Sequence, residues 1–250
     1  MKRIFSLILS ALLAVAFTTA HAQTQEYVLL WTNGGNLSVK WLDEVDSITF
    51  REKPAVANDT LINNHKFVDL GLPSGLLWAD CNVGASSPYE DGDYYAWGET
   101  ETKSVYYSLE YEWGKGDDMY KYNASDGKTI LDADDDVATV KWGVGCRMPS
   151  IEEINELRNE CDWEWKYDYQ GTSGYLVTGF NGNTIFFPAS GYKTNNVVKS
   201  HGTYGNYWSR SLGTYITSAG YLGFTNNSIT GQRFAFHRSE GFTIRPVATK

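Results

Sequence analysis

Only one stretch of this chain has the period of a surface helix. In "RMPSIEEINELRNEC", Arg147 to Cys161, the residues Ile151, Ile154, Leu157 and Cys161 recur at spacings of three and four and share one face. Ser150 stands at the N-cap with Glu153 three places on, the S-x-x-E capping box, and Pro149 fixes the approach. Almost everything else is short β-prone runs broken by glycine, asparagine and aspartate. A chain with so little helix must build its core from sheet and loop. Its 24 glycines against 6 prolines, with 15% aromatic residues, fit short strands joined by many turns.

The chain opens with Lys2 and Arg3, an apolar run from Ile4 to Phe17 and the small-x-small triplet Ala20 to Ala22. This is the layout of an export signal cleaved between Ala22 and Gln23. The apolar run has 14 residues, short of the about 20 that span a bilayer. Residues 1–22 are therefore read as a signal peptide. That predicts a chain exported to the periplasm, the outer surface or the medium, with no transmembrane helix in its mature part. The formal net charge is −9, and nearer −11 without residues 1–22. An acidic chain without a basic run makes nucleic acid an unfit partner.

In residues 23–50 two β-prone runs flank Asn33-Gly34-Gly35, a strong hairpin signal. Residues 51–65 are polar, contain Pro54 and read as a linker; residues 66–250 make the main domain. There Phe67–Leu70 and Leu76–Ala79 read as strands around a Pro-Ser-Gly turn. Residues 86–140 read as loop with short pieces of structure. Gly174–Tyr192 reads as a hairpin turning at Asn181-Gly182, with Ile185-Phe186-Phe187 apolar on both faces and hence central. Short aromatic strands follow to Val247. The sum is α+β: one or two helices and about six to nine short antiparallel strands with long loops.

Three cysteines flank or precede the helix. Cys161 lies about 16 Å along it from Ser150, while the four residues back to Cys146 reach about 13–14 Å at most. A disulfide needs Cα atoms about 4.4–6.8 Å apart, so Cys146–Cys161 would require the chain to run back along the helix. An odd count in an exported chain points to one pair and a leftover thiol. Cys81–Cys161 is the expected pair with Cys146 free; three reduced thiols are the alternative. There is no C-x-x-C, and His65, His201 and His237 sit in no ligand spacing. Arg147 and the helix N-terminus would lower the pKa of Cys146, yet no histidine partner can be assigned, so the thiols are read as structural.

Taken together, "KFVDLGLPSGLLWADCNVGASSPYEDGDYYAWGET", "DDDVATVKWG", "RMPSIEEINEL", "IFFPASGY", "YWSRS" and "IRPV" resemble the Fibrobacter succinogenes major paralogous domain, over about Lys66 to Val247. That family of exported proteins is common in Bacteroidetes. The resemblance implies a fold like C-type lectins and formylglycine-generating enzymes, in which the first strand, near Phe67, pairs with the last, near Ile244–Val247. Family members often have another residue where Cys146 stands, which fits an unpaired thiol. The generating enzymes' activity needs a C-terminal pair of reactive cysteines, and this chain has none after Cys161.

The aromatic tail supplies the ligand-binding candidates: Tyr204, Tyr207, Trp208, Arg210 and Tyr215, with Tyr221 nearby. Rings among adaptable polar groups suit sugar or protein surfaces. Trp208 is expected to be buried, and Tyr204 and Tyr215 to be the exposed pair. Asp132, Asp134 and Asp136 offer oxygen ligands to calcium but lack the glycine turn and bidentate glutamate of an EF-hand loop. A solvated or helix-capping turn before "VATVKWG" is the stronger reading, and no cofactor is expected. "DSI" and "DTL" resemble a short O-glycosylation signal, at Ser47 or Thr60. The expected function is a non-catalytic exported module that binds a glycan or a cell-surface protein through its loops. The alternatives are a secreted glycoside hydrolase with carboxylates from residues 86–136, and a structural subunit of a surface assembly.

Overall fold

The computed structural model describes residues 27–31, 37–41, 59–232 and 236–250. The chain divides into two units, Met1–Glu52 and Lys53–Lys250. In the first, β1 (Tyr27–Trp31) and β2 (Leu37–Trp41) pair antiparallel with Trp31 opposite Leu37. The turn between them, the Ala22–Gln23 junction and Ser47 lie outside the described residues.

The second unit begins with β3 (Thr60–Ile62), β4 (His65–Asp69) and β5 (Leu77–Ala79). Strand β3, which carries Thr60, falls inside the stretch read as linker. It forms because Asn63 and Asn64 both take left-handed φ, 50° and 65°, the two-residue turn whose twist matches paired strands. Next come β6 (Gly114–Lys115), β7 (Asp118–Met119), helix α1 (Val137–Trp142), β8 (Cys146–Arg147) and helix α2 (Ile151–Glu160). The rest is strand: β9 (Asp162–Tyr169), β10 (Thr172–Thr178), β11 (Thr184–Pro188), β12 (Tyr192–Thr194), β13 (Val197–Lys199), β14 (Tyr204–Leu212), β15 (Ala219–Thr225), β16 (Ser228–Gln232) and β17 (Val247–Ala248). The architecture is α+β, mostly antiparallel sheet with two α-helices among the described residues. The strands are shorter and more numerous than the sequence led one to expect.

A five-stranded sheet ordered β3-β4-β5-β17-β8 runs through the unit. The expected pairing of first and last strands is displaced by one: β17 pairs with β5 and β8, not with β4. Because side chains alternate faces along a strand, the sheet divides two hydrophobic clusters. Phe67, Leu77, Ala79, Cys146 and Ala248 face one, with Trp97, Trp208 and Phe242. Val68, Trp78 and Val247 face the other, with Ile151, Ile154 and Leu157 of α2 and with Tyr175, Phe187 and Phe224.

Helix α2 is built as its sequence specifies. The Glu153 amide donates to Ser150 Oγ at 3.2 Å and the Ser150 amide donates to Glu153 Oε2 at 2.8 Å, the reciprocal capping box. The expected Cys81–Cys161 disulfide is not formed; all three cysteines are free. Cys81 packs against the first cluster and Cys161 against the second, so the central sheet stands between them. Arg147 does not activate Cys146, because neighbouring residues on β8 point to opposite faces. Its guanidinium grips Glu153 at 2.6 and 2.7 Å, while burial pushes the Cys146 thiol up rather than down. No helix among the described residues is long and apolar enough to cross a membrane.

Candidate functional site

The residues of the aromatic tail are divided between core and surface. Trp208 is 0% exposed and stacks on Phe242 at 3.9 Å; Tyr207 is 2% exposed, with its hydroxyl donating to Pro188 O at 2.6 Å. Arg210 is held in the fold: its Nη2 donates to Leu131 O at 2.9 Å and its Nε lies 4.0 Å from Asp136. Tyr204 (45% exposed) and Tyr215 (62%) are the exposed pair, but they stand at the start of β14 and in the turn after it. The five are therefore divided: Tyr207 and Trp208 are core, Arg210 is tied into the fold, and Tyr204 and Tyr215 are exposed. Strand β14 stands at the edge of the sheet β14-β15-β16, but Tyr207 packs on Phe187 and Trp208 on Phe242, so these two rings fill core.

The acidic triplet does not converge either. Asp132 pairs with Lys128, Asp134 is exposed, and Asp136 is fully buried. Asp136 caps α1, accepting from the amides of Ala138 and Thr139 at 3.1 Å, and both its oxygens accept from the Met148 amide at 3.0 Å. Burial drives its carboxyl upward, against those hydrogen bonds. Among the described residues no group of histidine, cysteine or carboxylate side chains is arranged to hold a metal ion.

A cleft of about 360 Å³ opens on the second cluster's side of the central sheet. Its formation follows from the period of β4, where His65 and Phe67 face one way and Lys66 and Val68 the other. Val68 and Ile185 form part of the floor. Within the lining, Lys66 Nζ lies 2.8 Å from Asp59 Oδ2 and 3.8 Å from Asp80 Oδ2. The Asp59 hydrogen bond raises the Lys66 ammonium above its ordinary value, partial burial working the other way. Tyr89, Tyr169 and Phe186, also in the lining, form an aromatic corner with ring centroids 5.2–5.7 Å apart. The two tyrosines are half-buried and Phe186 is buried.

Each wall is pinned. The Asn181-Gly182 turn between β10 and β11 is tied to the end of β4, where Asp69 O accepts from Asn181 Nδ2 at 2.7 Å and from Asn183 Nδ2 at 2.8 Å. Gly182 takes φ of 91°, which an L side chain rarely adopts. Thr172 Oγ1 donates to Tyr89 O at 3.0 Å, fixing the loop that brings Tyr89 to the corner. Behind the walls lies Arg245, 1% exposed. Its Nη1 donates to Ala79 O and Asp80 O at 3.1 and 3.0 Å, its Nη2 to Phe186 O at 2.8 Å and its Nε to Asn82 Oδ1 at 2.7 Å. One buried guanidinium thereby joins the end of β5 to the free edge of β11. This also explains an incorrect expectation. Strand β11 is apolar on both faces but stands at the edge of the sheet β11-β10-β9, where a side chain replaces the missing neighbour strand.

No protein-family model, curated protein or solved structure matches this chain. The cleft itself must carry the functional reading.

Sequence reading did not single out Lys66, Asp80, Tyr89 or Tyr169. Tyr89 lies in a stretch read as loop. Tyr169 ends "DWEWKYDY", whose strict alternation of ring and polar residue is the mark of a half-buried strand. That strand, followed by Gln170-Gly171, was the available signal. Of the carboxylates assigned to a hydrolase, Glu99, Asp135 and Asp136 are buried, and Asp93 and Glu101 line a different cleft with His65 and Trp142.

Proposed function

We propose that the second unit is a non-catalytic saccharide-binding module of an exported envelope or surface protein. The single observation that carries this is the pairing, in one rigid cleft, of an aromatic corner with a bracket of carboxylates. Sugars present apolar C–H faces and many hydroxyl donors. Tyr89 and Tyr169 offer ring surface to the former, and Asp59 and Asp80, being acceptor-only when ionised, offer lone pairs to the latter. The volume accommodates about one or two pyranose units, at the small end of ligand clefts. The likeness of six sequence motifs to the Fibrobacter paralogous family supports export and a C-type-lectin-like scaffold, and the charge-poor segment Ile4–Phe17 supports a signal peptide. Pinned walls favour recognition, because little side-chain or loop ordering is left to oppose binding.

A glycan array followed by isothermal titration of the intact protein tests this. The expected result is micromolar to millimolar binding of an oligosaccharide, lost on Tyr169→Ala, with no sugar released on prolonged incubation. Steady release of reducing ends, abolished by Asp93→Asn or Glu101→Gln, would replace this reading with the hydrolase.

A further inference from the structure

We infer that this cleft selects uncharged saccharides and rejects those bearing carboxylate or sulfate groups; the inference rests on the saccharide reading of the same cleft. Only three lining residues are charged, and their arrangement decides what can enter. Lys66 is the one cation, and it is already engaged by two carboxylates, Asp59 at 2.8 Å and Asp80 at 3.8 Å. An incoming uronate would have to draw Lys66 away from Asp59 and would then face two like charges with no other lining cation to meet it.

Neutral hydroxyls meet the opposite situation. The carboxylates need donors, and a sugar hydroxyl supplies one without displacing Lys66. Glu90 and Asp168, exposed next to Tyr89 and Tyr169 in sequence, are not among the lining residues and add no cation. The whole chain carries −9.

Arg245 is the counterargument, since it places a buried positive charge behind the Asp80 and Phe186 wall. Four of its five N–H groups are taken by Asn82, Ala79, Asp80 and Phe186, and the residue is 1% exposed and not part of the cleft lining, so it is not offered to an anion there. It can only offset part of the repulsion at a distance. The discrimination should therefore be about tenfold rather than several hundredfold.

The test uses a matched pair: the neutral oligosaccharide found on the array, and the same oligosaccharide oxidised at C6 to the uronate. Titrated against the intact protein at low salt, the uronate should bind about tenfold more weakly. The gap should shrink in 0.5 M salt as the carboxylates are screened. Asp59→Asn, at an exposed position with little bearing on folding, should narrow the gap, and Lys66→Met should widen it. Equal or tighter binding of the uronate overturns the selectivity while leaving the saccharide site standing. Binding of no saccharide of either kind overturns both, so the two failures are distinguishable.

Discussion

Trp208 and Tyr169 lie in strands of similar aromatic content, β14 and β9, yet one is wholly buried and the other lines an open cleft. Strand β14 pairs with β15, stacks Trp208 on Phe242 on one face and sets Tyr207 against Phe187 on the other. Both strands stand at an edge of a three-stranded sheet, but β9 is partly buried to exposed along its length whereas β14 is buried over most of its own. Ring content is thus a measure of apolar area to be covered, and what packs on the two faces of a strand, not whether it stands at a sheet edge, decides whether it is covered by the protein or by a ligand. The comparison teaches that an aromatic strand packed on both faces is scaffold, while partly exposed rings at strand ends and turns form the rim.

Breaking that comparison calls first for Trp208→Ala. A fully buried indole removed from a stacked core should cost about 3–5 kcal/mol, read as a lower urea midpoint at unchanged slope. A loss below about 1 kcal/mol would mean that β14 is not core. Tyr169→Ala should behave in reverse. Half-buried at an edge, it should cost about 1 kcal/mol of stability or less, while saccharide affinity falls about tenfold or more, equivalent to about 1.4 kcal/mol of binding. Titration and unfolding of the same variant measure both numbers.

The region most faithfully legible in the sequence was α2, because its signals are local: Ser150 and Glu153 lie within a single turn, and the Ile151, Ile154 and Leu157 stripe needs only a core to face. The turns at Asn181-Gly182 and the cap role of the acidic run ending in Asp136 were equally local and equally readable. The cleft was not. Lys66, Asp80, Tyr89, Tyr169 and Phe186 come from five places in the chain and meet only because β17 inserts beside β5 and Arg245 joins β5 to β11. The cysteine pairing failed for the same reason. Spacing argued against Cys146–Cys161, but which side of the central sheet each of the other thiols occupies is a tertiary fact.

The cap of α2 sharpens the contrast between scaffold and rim through pH. Burial works upward on the Glu153 carboxyl, but the Arg147 guanidinium and the Ser150 amide outweigh it and hold the group below its ordinary value. A carboxyl lowered in the folded state stabilises the fold above its unfolded pKa, about 4.3. That contribution disappears as pH falls through the folded value. Glu153→Gln should therefore cost about 1–2 kcal/mol at pH 7. The difference from the unaltered protein should close below pH 4, and saccharide affinity at pH 7 should stay within about twofold. A stability gap that persists unchanged at pH 3 would show that the ion pair contributes nothing and that only packing was disturbed.

The smallest expected effect is the most direct check on where recognition resides. Tyr215 is 62% exposed in the turn after β14, and its backbone, not its ring, makes the local hydrogen bonds, with the Tyr215 amide and carbonyl both bonded to Ser218 Oγ. Tyr215→Ala leaves that turn intact, so stability should move by no more than about 0.5 kcal/mol and saccharide affinity should not change. If instead affinity drops tenfold while Tyr169→Ala binds normally, recognition belongs to the loops of the aromatic tail. The pinned cleft would then be a by-product of joining β5 to β11 through Arg245.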